Sequence, residues 1–297
     1  MKVATQPEAA MQRVAIRNIL VLTDFSQRSE AALGYAARWA RKLGAMLHIA
    51  YFIRPTSYAL AWDVYGPVME KVWEDGRAGL AAIDASPELK DVLHATYLNP
   101  GEIHDGLDEL IAAQKVDLVV LASAARTGLG KVLLGSTAES VFRTAPCPVL
   151  MLGPNAQPGE PAHRPQTLLF AADFGPATAR AHGFAFSLAQ ELQARLYLLH
   201  VLAAPGGNTA PPAREIETAE RQLRALVPPV AESWCEPVPL VKAGEPAAEI
   251  IKAAGEVGAD VIVLGARRPP RLSVYTGWAN AYTVLHNAPC PVLTVRE

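Results

Sequence analysis

Residues 122–137 read ASAARTGLGKVLLGST, between an apolar, β-rich run and a helical one. Loops at the carboxyl ends of parallel strands are where doubly wound sheets bind ligands. Gly135, Ser136 and Thr137 stand where the next helix opens, and the first unpaired N–H groups of a helix favour an anion. A glycine in such a loop lets backbone N–H groups approach phosphate oxygens with no Cβ in the way. Asp24 and Asp173 follow two further apolar runs. A strand-end carboxylate can accept hydrogen bonds from sugar hydroxyls, or order its own loop. Neither aspartate has a nucleophile or metal partner evident in the sequence. The chemistry indicated is recognition of a phosphorylated ligand rather than bond-making.

Other arrangements fall short. Residues 125–132 depart from a P-loop at both ends, because Ala125 stands for the leading glycine and Val132 for the final Ser/Thr. No G-x-G-x-x-G follows a first strand, and there is no G-x-S-x-G or H-E-x-x-H. Glu102, His104, Asp105 and Asp108 gather at a predicted helix start. His104 and Asp108 could face one metal, but an acidic first turn explains them better. His48 and His200 fall on predicted strands and read as packing residues. Tyr58, Trp62, Tyr65 and Trp73 could cover a ligand, meet a partner or pack beneath a long connection.

The positions that carry these residues occur twice. Thr23-Asp24-Phe25 recurs as Ala172-Asp173-Phe174, 149 residues on, and APCPV at 145–149 recurs at 288–292, 143 residues on. A period of domain size marks a duplicated domain rather than a solenoid. The chain has 297 residues, 51% hydrophobic and 19% charged, with a net charge of −2. That suits two packed cores and supplies no global positive field for nucleic acid or an anionic membrane. Three cysteines without C-x-x-C suit a reducing compartment. No leader-like segment and no apolar run of 18 residues are evident, so a cytoplasmic location is expected.

Each copy alternates strand and helix. In the first, strands are predicted at 18–23, 46–53, 92–98, 117–122 and 148–152, and helices at about 26–43, 67–85, 102–114 and 136–144. In the second, strands fall at 168–172, 195–202, 237–242, 260–265 and 292–296, with helices at about 176–192, 213–227, 245–257 and 279–287. Ser26 is a plausible N-cap and Gly44 a C-cap. Nearly continuous apolar strands joined by helices imply a parallel sheet covered on both faces. The expected units are a first domain at 15–154, a linker at 155–166 rich in proline, glycine and polar residues, and a second domain at 167–297.

Taken together, the strand-end aspartate, the 122–137 loop and the APCPV entry to the last strand resemble the universal stress protein family, along about 15–154 and 165–297. Its nucleotide-binding members carry Gly-x-x-Gly, nine residues, then Gly-Ser/Thr in this place. The resemblance implies two tandem flavodoxin-like domains, Rossmann-like and similar to the adenine nucleotide α hydrolases, each with a five-stranded parallel sheet and helices on both faces. It also implies that Thr23, Asp24, Phe52, Leu121, Ala122, Ala125, Gly135, Ser136 and Thr137 would surround ATP or another adenine nucleotide, with Mg only alongside bound ATP. Ala122 and Ala125 replace the first two glycines. Alanine would cost on the order of 1 kcal/mol where φ must be positive; where φ is negative its methyl merely narrows the pocket. In the second copy Asp173 and Gly265 survive, while Arg268, Trp278 and Ala279 take the remaining places. Their bulk is expected to close that cradle. The family's last strands often pair antiparallel, so strands 148–152 and 292–296 are expected to join in an internal pseudo-dimer, and a homodimer of tandems is plausible. The function expected is non-enzymatic, a stress response acting through weak nucleotide binding in the first half or through protein partners. An ATP sensor with slow hydrolysis, or a binder of another small ligand in the aromatic-lined first half, are the alternatives.

Overall fold

A computed structural model describes residues 15–53, 62–101, 103–123, 135–156, 165–203, 211–231, 235–266 and 279–296. The first half contains β1 (Asn18–Leu22), α1 (Gln27–Leu43), β2 (Met46–Ile53), α2 (Trp62–Asp84), a 3-10 turn (Pro87–Leu89), β3 (His94–Pro100), α3 (Ile103–Ala113), β4 (Leu118–Ala122), α4 (Ser136–Thr144) and β5 (Val149–Leu152). The second contains β6 (Thr167–Ala171), α5 (Pro176–Leu192), β7 (Arg195–Ala203), α6 (Ala213–Ala225), β8 (Val238–Gly244), α7 (Pro246–Val257), β9 (Val261–Ala266), α8 (Ala279–Asn287) and β10 (Val292–Arg296).

Local chemistry sets the ends of α1. The Ser26 hydroxyl accepts from the Ser29 N–H at 3.3 Å, which caps the helix start. Gly44 ends it at φ 64°, with its N–H bonded to Ala40 O. The third strand begins at His94 rather than Val92, because the 3-10 turn takes up the intervening chain.

All strands join one sheet in the order β3-β2-β1-β4-β5-β10-β9-β6-β7-β8. Within each half every pairing is parallel. The doubly wound class expected from the sequence is therefore what the molecule has. Its order within a half is that of a Rossmann half, with β1 and β4 flanking the switch point, rather than the flavodoxin order 2-1-3-4-5.

The halves meet where β5 and β10 pair antiparallel, Val292 against Met151, Leu293 against Leu150 and Thr294 against Val149. Leu150 and Leu293 correspond in the two copies, so an approximate two-fold axis passes between them. Equivalent residues also touch across it: the Tyr282 hydroxyl donates to Glu139 Oε1 at 3.4 Å. The core respects this continuity. One cluster holds α1, α5 and side chains of both sets of strands; another, on the opposite face, holds α3, α4, α7 and α8. Each face is thus a single core spanning both halves. Among the described residues no helix is long and apolar enough to cross a membrane.

Candidate functional site

The switch point of the first half lies between the carboxyl ends of β1 and β4, which are hydrogen-bonded neighbours with Val21 opposite Val120. It brings Thr23 and Asp24, just past β1, beside Leu121 and Ala122 at the end of β4. Thr23 also ties to β2, its N–H donating to Ala50 O at 3.0 Å, so Phe52 ends on the same edge. Gly135, Ser136 and Thr137 lie at the start of α4, with Gly135 as the N-cap at φ −54° and no side-chain capping bond. Ala125 lies outside the described residues, as do Arg268 and Trp278.

A hydroxyl-rich turn holds the aspartate. Asp24 Oδ1 accepts from the Ser26 N–H at 3.0 Å and from the Ser26 hydroxyl at 2.5 Å. The Asp24 N–H reaches Ser29 Oγ at 3.4 Å, and Ser29 Oγ lies 3.2 Å from Thr23 Oγ1. Burial works to raise the Asp24 pKa, but the hydrogen bonds from Ser26 and Ser29 outweigh it and hold the carboxyl below its ordinary value. Asp24 is ionised and exposed at the mouth of the crevice.

The turn forces the next residue into the left-handed region. Phe25 sits at φ 60° and Phe174, its counterpart, at φ 56°. Such a conformation costs about 1–3 kcal/mol for a residue with a Cβ. Both rings pack onto the neighbouring strand, Phe25 against Tyr51 at 4.5 Å and Phe174 against His200 at 4.4 Å. The sequence shows the repeated Asp-Phe but not the backbone it requires.

Several expected site residues serve the core. Leu121 is buried. Phe52 is buried against α3, where a Cβ on Gly106 would come within 2.8 Å of its Cε1. Ala122 does not have positive φ, so no strain follows from replacing glycine there. Its methyl packs against the core cluster that includes α1. The reason appears in the second half. A Cβ on Gly265 would lie 2.7 Å from the Ala177 backbone carbonyl, so α5 starts directly on β9. The first glycine position is a strand–helix packing position in this chain.

The second switch point is built differently. Asp173 Oδ1 accepts from the Gly175 N–H at 2.8 Å and from the Thr178 hydroxyl at 2.5 Å. His200 Nδ1 donates to Ala172 O at 2.7 Å, and His48 bonds Tyr97 and Asn18, so both histidines are structural. Arg28 was not singled out by the sequence: its Nη1 donates to Ser123 O at 3.0 Å, bridging α1 and the end of β4. The corresponding residue in the second half is Ala177. Among the described residues no three His, Cys, Asp or Glu side chains gather to hold a metal ion.

A model of the family described as "Universal stress protein family" matches residues 15–153 and again 165–296. The chain belongs to the universal stress protein family. Similar family members include a universal stress protein of Mycolicibacterium smegmatis, 28% identical over 291 residues, covering 94% of this chain and 96% of that one. One from Methanocaldococcus jannaschii is 28% identical over 141 residues, 46% of this chain and 81% of its own length. The fold of this universal stress protein is shared by the crystal structure of one from Archaeoglobus fulgidus, with TM-score 0.70 and 19% identity over 94% of this chain and 98% of that one. Membership supports a role in stress response.

Proposed function

We propose that this universal stress protein is a non-enzymatic, cytoplasmic stress-response protein whose first half binds an adenine nucleotide weakly and whose second half does not. The observation that carries the reading is the difference between the two switch points. In the first, an ionised Asp24, the Thr23 and Ser29 hydroxyls and the start of α4 at Gly135 share one edge of the sheet. In the second, Gly265 presses directly on the helix start. When bound, the nucleotide supplies the charge and shape that a partner reads. Thr23 and Asp24 would hold the sugar, and the N–H groups at Ser136 and Thr137 would face phosphate, where the helix dipole favours an anion. Mg would accompany ATP only.

Equilibrium ATP titration tests this. Wild type should bind saturably, with affinity weaker than micromolar. Gly135→Arg, which places a long side chain at the start of α4, should abolish binding while the fold persists. Turnover should be absent when phosphate release is followed over hours. Saturable binding untouched by Gly135→Arg would place the nucleotide elsewhere, and steady phosphate release would make the protein an enzyme.

A further inference from the structure

We propose that Arg28 is an anion-binding residue of the first half, making the site selective for a nucleotide's phosphates over the bare nucleoside; this rests on the nucleotide reading above. Arg28 is in the first turn of α1, and its guanidinium crosses the crevice between the β1 and β4 ends to reach Ser123 O. The placement is electrostatically wrong for the helix alone. A helix N-terminus is its positive end and favours acidic side chains. The other charges near the ends of α1 follow that rule, with Glu30 in the first turn and Arg41 and Lys42 in the last. Arg28 is the exception, and it is exposed.

Among the described residues Arg28 forms no ion pair, and the Asp24 carboxylate accepts instead from Ser26. Ser123 O takes one guanidinium N–H, which leaves donors in the planar fork for a phosphate. The start of α4, uncapped by a side chain, adds a second positive end on the same edge of the sheet. Two helix starts and the guanidinium thus bring N–H donors to one edge of the sheet, beside the Asp24 carboxylate that its own turn engages. The second half has Ala177 in this place, packed against Gly265, so the position that carries the guanidinium in the first half carries a methyl in the second.

The full-length chain is titrated with ATP and with adenosine, as wild type, Arg28→Ala and Arg28→Lys, alongside thermal unfolding without ligand. Arg28→Ala should weaken ATP by about 10-fold or more, the scale of a charge-assisted hydrogen bond. Adenosine should change by less than about 2-fold, with Arg28→Lys intermediate for ATP. The unliganded alanine variant should unfold at the same temperature or higher, because a misplaced cation has gone. Equal loss for ATP and adenosine, or a lowered unfolding temperature with unchanged ATP affinity, would show a structural strut and overturn the proposal. Wild type that binds both ligands with an indifferent Arg28→Ala would sink Arg28 alone. Wild type that binds neither would remove the nucleotide reading and this inference together.

Discussion

At the end of β4 a methyl group and an arginine stand between strand and helix; at the end of β9 not even a methyl fits. Ala122 and Gly265 hold the same position in the two copies, as do Arg28 and Ala177. In the second half the helix start rests on bare backbone, with 2.7 Å from a notional Cβ to Ala177. In the first, α1 must stand off far enough to admit the Ala122 side chain, and Arg28 spans the gap. The two halves therefore solve one packing problem in opposite ways, and the first places a guanidinium where the second places a methyl. A motif glycine can thus be a packing residue. The half that kept the glycine used it to bring helix and strand together.

The sharpest way to break the comparison is at the junction of the halves. A Cβ on Gly153 would lie 2.2 Å from Leu285 O. Its counterpart, Arg296, donates to Phe142 O at the end of α4. Gly153→Ala should destabilise the whole chain by about 3 kcal/mol, since backbone must move. Arg296→Ala should cost about 1 kcal/mol, the worth of a helix C-terminal cation and hydrogen bond. Urea unfolding measures both, and equal costs would mean that the junction is not packed as described.

Next come the strand ends. Gly265→Ala should cost about 2 kcal/mol, whereas Ala122→Gly should cost about 1 kcal/mol, the burial and chain-entropy loss of one methyl. The same unfolding measurement decides, and reversal of that order would refute the packing role of Gly265. A third comparison concerns the turns. Asp24→Ala and Asp173→Ala each remove at least two hydrogen bonds from a strained turn and should cost about 1–2 kcal/mol. Only Asp24→Ala should also weaken ATP in titration; loss in both variants would place nucleotide in both halves.

The smallest difference is expected on the alkaline side. Burial pushes the Cys147 and Cys290 thiols, first of several causes, from 9.0 up to about 12. A group that holds its proton more tightly when folded contributes stability below its unfolded pKa and loses it as pH rises toward the folded value. Stability should therefore fall between about pH 9 and 12, by similar amounts from each thiol. Cys147→Ala and Cys290→Ala should each flatten that decline when unfolding is followed against pH. A decline flattened by one variant alone would show that the two thiols are not equivalent.

Much of the fold was legible because duplicated sequence checks itself. Ser26, Gly44 and the paired APCPV segments place helix ends and last strands from residue type alone. The site was less so. Asp24 and Asp173 are visible as letters, yet whether a carboxylate binds its own turn or a ligand depends on the hydroxyls that folding brings to it. Glycine is more opaque still: Gly265 is demanded by Ala177, 88 positions away in sequence. Arg28 offered only a faint signal, a cation at the wrong end of a helix, and gained meaning once Ser123 O was found beneath it.

Because β5 and β10 run in opposite directions, the parallel strands of one half run against those of the other where the halves join. The two crevices accordingly open on opposite rims of the molecule. A partner that covers one need not touch the other. Any message from an occupied first half must travel through the shared interior, along α4 and the strand pair at the axis, instead of by shuttling a bound molecule from mouth to mouth.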